Sequence, residues 1–343
     1  MGIHENDWKD KSVEQIYESE IYPHLTDLEI LRKKCQKYLL GTIAVGLIIG
    51  VIAVSFENET DETMQAVSGG FMALSLVAMA IGGYKCWKLY QELRIHYKEQ
   101  VVHKVINCFG PNLTYNWQNF VDKHDFIYSN LFKEYIDFYK GEDHVSGHRE
   151  QVPFEFSEID AQKEEVYYED GKKRKRKVTI FQGLFFRASF NKHIQGETLV
   201  FPDLAESMFG SLVGNFLQSA NGEHAGKLVK LEDVEFEKKF AVYGTDQIEA
   251  RYILTPSMMR EMTNLSNKIK RPLYFSFKGE YVHVAVTNRK NLFEPKLFGN
   301  LVNIEDIEHM HNVFSFFMSI IDEMNLNTRI WSKSWDNEEQ KVS

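Results

Sequence analysis

Two long uncharged runs constrain this chain more than any other feature. Residues 39–56 read LLGTIAVGLIIGVIAVSF and residues 66–84 read AVSGGFMALSLVAMAIGGY, eighteen and nineteen positions without a charged side chain. At about 1.5 Å per residue each spans about 27–29 Å as a helix, close to the roughly 30 Å of a bilayer's hydrocarbon core. The chain is therefore expected to cross a membrane twice. The 38 preceding residues, many of them charged, exclude a cleavable signal peptide. The link ENETDET (57–63) holds four acids and no base, whereas Arg32, Lys33, Lys34 and Lys37 precede the first run and Lys85, Lys88, Arg94 and Lys98 follow the second. Positive charge stays on the cytoplasmic side, so both termini are expected there, with the acidic link outside. Tyr38, Tyr84 and Trp87 fall at the head-group level.

Small residues suggest how the two spans meet. Gly46-x-x-x-Gly50 in the first and Ala78-x-x-x-Gly82 in the second are read as packing positions within one antiparallel hairpin. Apolar stripes of helical period extend it on both sides: Val13, Tyr17, Ile21, His24, Leu28, Leu31 and Cys35 before, and Cys86, Tyr90, Leu93, Tyr97, Val101, Val105 and Cys108 after. Paired from the link outward, their residue numbers sum to 121 or 122, as two antiparallel helices in register require. Pro23 interrupts the first stripe, so a kink or a restart is expected there, with Thr26-x-x-Glu29 as a capping box. His24 is read as a packed core histidine.

Past Gly110-Pro111 the pattern changes. A helix is expected over 122–139, followed by period-two strands at 152–156, 165–168, 178–190 and 198–201. Glu169-Asp170-Gly171 marks a hairpin turn. A loop rich in Gly, Ser and Asn at 218–226 separates a second group of strands near 228–231, 240–243, 273–277 and 281–286. Thr255-Pro256 opens a helix to about Ile269. Asp246-x-x-Glu249 reads as a further helix start, although Ile248, Ala250, Tyr252 and Leu254 also alternate as a strand would, and 304–324 reads as a last amphipathic helix before a polar, frayed end.

Chemistry is harder to find. The chain has no phosphate-binding glycine loop, no dinucleotide fingerprint and no nucleophile elbow. Three cysteines, Cys35, Cys86 and Cys108, are too few for a disulfide framework or a four-cysteine zinc site and suit a reducing compartment. Cys108 lies on the apolar stripe, which favours packing over nucleophilic work. His144 and His148 beside Asp143 have metal-like spacing, but Gly147 argues for a loop. His309 and His311 point to different helix faces. Glu155 with Glu158, or Asp246 with Glu249, are carboxylate pairs better read as solvated strand positions and caps. No catalytic residue, metal ligand or cofactor is assigned.

The sharpest charge feature is Lys172, Lys173, Arg174, Lys175, Arg176 and Lys177, six cations in succession after the Asp-Gly turn. A solvated tip that deters edge pairing is the simpler reading. The functional one is contact with anionic lipid head groups. Nucleic acid is not expected, because the chain carries 40 basic against 49 acidic side chains, a net charge of −9, and no second basic cluster.

The segments YKGEDHVSG (139–147), FEFSEIDA (154–161), FQGLFFRASFNK (181–192) with GETLVFPD (196–203), FEKKFAVYGTDQIEARYILTP (236–256) and NLFEP (291–295) occur in an order that resembles the bacterial membrane proteins grouped as DUF3137. The likeness runs from Leu28-Glu29-x-x-Arg32 to about residue 325. It implies a bacterial inner-membrane protein with a cytoplasmic α+β domain and implies no activity. The expected architecture is α+β: a two-helix transmembrane hairpin with a helical stalk (1–110), a cytoplasmic domain of antiparallel sheets and helices (111–330, with a split near 218–226), and a polar tail (331–343). The expected role is a membrane-anchored binding or scaffold module, with the bilayer, its anionic head groups and another membrane protein as partners. An enzyme with a site assembled from dispersed polar residues is the alternative.

Overall fold

The computed structural model describes residues 13–57, 62–110, 112–149, 152–202, 226–269, 271–288 and 291–339. The domain split near 218–226 and most of the acidic link therefore lie outside the described residues. The chain divides into two compact units, Met1–Cys108 with Phe293–Met310, and Phe109–Leu292 with His311–Ser343.

The first unit is a helical hairpin. It comprises α1 (Val13–Ile16), a π turn (Tyr17–Ile21), α2 (Tyr22–Glu57), α3 (Glu62–Tyr97), a second π turn (Lys98–Val102) and α4 (His103–Asn107). At 36 residues each, α2 and α3 reach about 54 Å, well beyond the apolar runs they contain. Both are long and apolar enough to cross a membrane. Only 11% of the most apolar window in each is buried, unlike the core helix of a soluble protein.

One register runs through membrane segment and stalk alike. The Ser68 hydroxyl donates to the Ala53 carbonyl at 2.8 Å and the Ser75 hydroxyl to the Gly46 carbonyl at 3.0 Å, while the Cys35 and Cys86 sulfurs lie 3.6 Å apart. Residue numbers sum to 121 in all three pairs. A methyl added at Gly46 would stand 2.6 Å from Met79, and one at Gly82 would collide with Thr42. Gly50 faces open space and Ala78 is half-buried, which corrects the expected G-x-x-x-G seam. The contact line instead advances by sevens, through Gly46 and Ala53 on one helix and Ser68, Ser75 and Gly82 on the other. A four-residue step from Gly46 leaves that line. The thiol pair allows a direct check of the register. Mild oxidation of the full chain should join Cys35 to Cys86 within one molecule, so that two of the three thiols vanish and the polypeptide stays monomeric on a non-reducing gel. Bridges formed only between chains would refute the hairpin register.

Pro23 does not interrupt the run of helical residues. The π turn just before it gives Tyr22 an amide bond to the Tyr17 carbonyl, five residues back, and this widened turn accommodates the ring and the missing donor. Thr26 caps nothing, since its hydroxyl donates to the Tyr22 carbonyl at 3.0 Å. The extra residue also shifts the buried face. Ile16, Ile21, Leu25, Leu28, Arg32 and Cys35 are buried, while Val13, Tyr17, His24 and Leu31 are half-buried. His24 is thus not a core residue. In α3 the second π turn puts consecutive pairs inside, Tyr97 with Lys98 and Val101 with Val102.

The strap 293–303 and the start of α9 (Ile304–Glu339) complete this unit. Arg32 grips Glu29 with two bonds of 2.8 Å and donates to the Leu297 carbonyl at 2.7 Å, while Glu29 accepts from the Leu301 amide at 3.1 Å. Hydrogen bonding from Arg32 outweighs burial and holds the Glu29 carboxyl down at about 2. On the other helix Glu294 accepts from Arg94 at 2.5 Å and from the fully buried Lys98 at 3.0 Å. Glu29 and Arg32 of the first segment, and Glu294 of NLFEP some 260 residues on, therefore tie the strap to the helices, in two separate ionic clusters that together clamp it.

The second unit is built on a single sheet. Its strands are β1 (Thr114–Asn116), β2 (Phe138–Arg149), β3 (Val152–Glu169), β4 (Lys172–Pro202), β5 (Lys227–Leu228), β6 (Phe240–Gly244) and β7 (Leu273–Thr287), all antiparallel to their neighbours. The order is β1-β2-β3-β4-β6-β5, with β7 also on β4. β4 changes neighbours along its 31 residues, pairing β3 first, then β7, then β6. It thereby unites the two expected strand groups in one sheet. Bulges near Ala161/Gln162 and between Ser189 and Glu197 shift the side-chain alternation, so each long strand reads as two in the sequence. Gly279, at φ 59°, similarly bends one strand rather than ending it.

Helices cover the sheet. The expected helix over 122–139 is only α5 (Lys123–Tyr128), capped by Asp122 on the His124 amide at 2.7 Å. Ser129 folds its hydroxyl back onto the Phe126 carbonyl and Asn130 adopts φ 57°, which ends the helix. Phe126, Phe132, Phe181, Phe185 and Tyr274 form the core on this face. On the other face Phe156 and Phe186 meet Phe314 and Phe317 of α9 at ring distances of 4.7–5.2 Å. α6 (Val234–Glu237) and α7 (Gln247–Ile253) start on Asp233 and Asp246 caps, and α8 (Pro256–Ile269) starts after Thr255. α9 continues to Glu339 because no Gly or Pro follows Ile304, so the residues expected as a frayed tail are helical nearly to the end.

Candidate functional site

Register across β2, β3, β4 and β7 assembles a row of polar side chains on the α5 face of the sheet. Glu155 lies opposite Arg187, and Arg187 opposite His283. His144 Nε2 is 2.9 Å from Glu155 Oε2. Arg187 Nη1 donates to Asp125 at 2.8 Å and to Glu155 at 3.0 Å, with its guanidinium 3.9 Å from the centre of the Tyr281 ring. The hydrogen bond from His144, and after it that from Arg187, outweigh burial and hold the Glu155 carboxyl below its ordinary range. Glu155 is thus a carboxylate at neutral pH and suited to accept protons or orient imidazole, not to donate.

Next along the row, His283 is fully buried against the Ser276 backbone, and Arg187 Nε and Ser276 Oγ are buried there without a hydrogen bond among the described residues. Burial, then the nearby cations Arg187 and Lys278, push the His283 imidazole down to about 3. No sequence pattern flagged Arg187 or His283, since only the strand register brings them together.

The other candidates separate. His144 and His148 belong to a strand, not a loop, and four residues of strand put them about 13 Å apart, too far for one metal ion. Glu158 lies on the opposite face from Glu155 and accepts from the Leu292 amide at 2.5 Å. It helps line a polar cavity of about 230 Å³ with Glu142, Asp160, Lys140, Gln182 and Asn291. This volume is below the usual range for a small-molecule site. Its carboxylates already hold structural partners: Asn291 donates to Glu142 and Gln162 to Asp160. Gly183, at φ 155°, closes the cavity floor, where any side chain would strike the Val286 carbonyl. Asp246 caps α7, and Glu249 reaches the amides of Gln195 and Gly196 at 3.0 and 2.8 Å. Cys108 donates to the Lys104 carbonyl, and His311 stacks on Phe109 at 4.8 Å.

The six cations stand on a two-stranded ribbon that continues past the end of β2. Its turn at Asp170 and Gly171, φ 51° and 69°, matches a type I′ hairpin. Every cation faces a residue of β3, from Glu169 opposite Lys172 to Glu164 opposite Lys177. Arg174 pairs with Glu169 at 3.0 Å, and Lys175 with Glu164 and Arg176 with Glu165 at 2.5 Å. Lys177 lies 4.0 Å from the centre of the Phe138 ring. Four acids, Glu164, Glu165, Glu169 and Asp170, thus offset much of the charge that the run shows in sequence.

A family model described as a protein of unknown function, DUF3137, matches residues 179–326, somewhat under half of the chain. That span contains the FQGLFFRASFNK segment with Arg187, the β7 strand with His283 and the NLFEP clamp. No curated protein matches the chain. Among solved structures, the crystal structure of the mycobacterial trehalose monomycolate transport factor A covers 60% of this chain and 86% of its own, at 8% identity and a TM-score of 0.28. A likeness that slight carries no inference about fold or role.

Proposed function

We propose that this protein is a membrane-anchored binding or scaffold module, held at the inner face of a bacterial cytoplasmic membrane by α2 and α3 with both termini in the cytoplasm. The proposed partners are the bilayer, its anionic head groups and a second membrane protein. The observation that carries this reading is the pairing of two apolar, surface-exposed helices with a sheet unit whose polar cavity beside Glu158 is small and lined by carboxylates that already hold partners. A transporter would need charged or polar groups along a pathway, and the apolar runs contain none with charge.

A membrane-bound enzyme is the second reading, and the half-buried His144–Glu155 pair beside Arg187 favours it. The two readings separate in one experiment. In vivo crosslinking of the tagged chain in native membranes should trap a defined protein partner, and the His144→Ala variant should trap it equally well. Loss of cellular function in that variant with unchanged partner capture would instead favour catalysis. Reporter fusions at Asn58 and at the C-terminus should place the link outside and the end inside; a cytoplasmic signal at Asn58 would overturn the anchoring geometry.

A further inference from the structure

We infer that one face of the β3–β4 ribbon, made of Val166, Tyr168, Lys173, Lys175 and Lys177, is a docking surface for the anionic membrane leaflet. The inference rests on the proposed attachment to the membrane and adds which residues meet the lipid. In an antiparallel ladder directly opposed residues share a face and successive residues alternate. The unbroken register from Gln162/Thr179 to Glu169/Lys172 therefore sorts the ribbon into two unlike sides.

The first side carries Lys172, Arg174 and Arg176 with Glu165, Tyr167 and Glu169. Both of its arginines are held in ion pairs, Arg176 also lies 5.5 Å from the centre of the Tyr167 ring, and Tyr167 is half-buried. The second side carries three lysines against one acid, Glu164. It also bears two exposed large hydrophobic residues, Val166 at 44% and Tyr168 at 74% exposure. A tyrosine and a valine among lysines match the interfacial layer of a bilayer, where a ring with a polar tip sits at head-group depth and ammonium groups meet phosphate. The complementary charge, and a leaflet kept close by the chain's own anchor, single out lipid over a soluble acidic partner. The Lys175–Glu164 pair lies at the surface, its side chains 59% and 34% exposed, so exchanging that carboxylate for lipid phosphate leaves no charge cut off from water.

Adjacent tyrosines on opposite sides provide the test. The full chain, with a photoreactive benzophenone amino acid at position Tyr168 or at Tyr167, is reconstituted in nanodiscs of phosphatidylcholine alone or with one-third phosphatidylglycerol. Irradiation should yield lipid adducts from position 168 in the anionic discs, at least fivefold more than from position 167 and fivefold more than in neutral discs. Combined Lys173→Gln, Lys175→Gln and Lys177→Gln substitutions should cut the yield about tenfold, as three surface cations near anionic lipid imply. Lys172→Gln, Arg174→Gln and Arg176→Gln together should change it less than twofold. Equal yields from 167 and 168, indifference to lipid charge, or capture of a protein or nucleic acid in place of lipid would each overturn the inference. Failure of the chain to remain in the discs would instead reject the membrane reading beneath it.

Discussion

Glu294→Ala should destabilise the helical unit by about 3–5 kcal/mol, the usual effect of removing one partner from a buried ion pair. Lys98 has no exposed side-chain surface, and the Glu294 carboxylate 3.0 Å away is the acid that faces it, with Arg94 sharing the same oxygen. Taking an ammonium out of water is tolerable only when a nearby opposite charge replaces the lost hydration. Glu294→Gln keeps the shape and one acceptor but loses that charge, so it should fall between wild type and Glu294→Ala. Adding Lys98→Met to Glu294→Gln should recover most of the loss, because an apolar chain of similar length needs no counter-charge. Thermal unfolding of the detergent-solubilised chain reads all three. If Glu294→Ala melts with the wild type, or Lys98→Met brings no recovery, the clamp does not hold the strap to the stalk.

That clamp also marks where sequence reading reached its limit. The helical stripes anticipated the pairing of Cys35 with Cys86, because one link and a constant residue sum leave little freedom. They missed the shift that buries Ile16 and Leu25 in place of Tyr17 and His24, since a π turn adds a residue that no 3.6-residue template contains. Arg32 was legible as a flanking positive charge, but its place in the buried seam depends on Glu29 and on the Leu297 carbonyl some 265 residues away, while Glu29 itself accepts from the Leu301 amide. Long-range partners of this kind leave no local pattern.

The sheet unit repeats the lesson in both directions. Asp170-Gly171 announced its turn, and with it every pair of the ribbon, because opposed residues there sum to 341. The acids Glu164, Glu165 and Glu169 that offset the basic run were therefore readable from the turn alone, and the run looked more cationic than it is. By contrast, Gly141 and Gly147 made β2 resemble a loop. Their lack of side chains serves close packing instead, against Phe120 and the Glu158 carbonyl at one and against Leu113 and the Asn112 carbonyl at the other. The row from Glu155 to His283 depends on strands 130 residues apart finding one register through a bulged β4, which alternation alone does not specify.

His283→Phe should flatten the acid side of the stability profile. The buried imidazole titrates at about 3 against an ordinary value of 6.5, so the native state favours the neutral ring. Above pH 6.5 both folded and unfolded chains hold it neutral and nothing is lost. As pH falls below 6.5 the unfolded chain takes up a proton that the folded one refuses, and stability declines until the folded ring titrates near 3. At about 1.4 kcal/mol per pH unit the full window is worth about 5 kcal/mol, and the interval from 6.5 to 4.5 nearly 3. The groups that face the ring explain why it stays neutral: Arg187 on β4 and Lys278 on β7 repel a second cation, and Glu155 on β3 offsets them only in part. Phenylalanine should fit among Phe185, Tyr128 and Tyr281, whose ring centres lie 5.8–6.1 Å from that of His283. It gives up the ring's bond to the Ser276 backbone and gains an apolar fit, so at pH 7 the variant should lie within about 1 kcal/mol of the wild type. Acid-sensitive carboxylates such as Glu29 remain in both proteins, so the quantity to read is the difference between them. Melting temperatures of the two full chains should diverge steadily from pH 6.5 to 4. Parallel curves over that range would mean that the ring is solvated or paired, and that the polar row opens to water at His283.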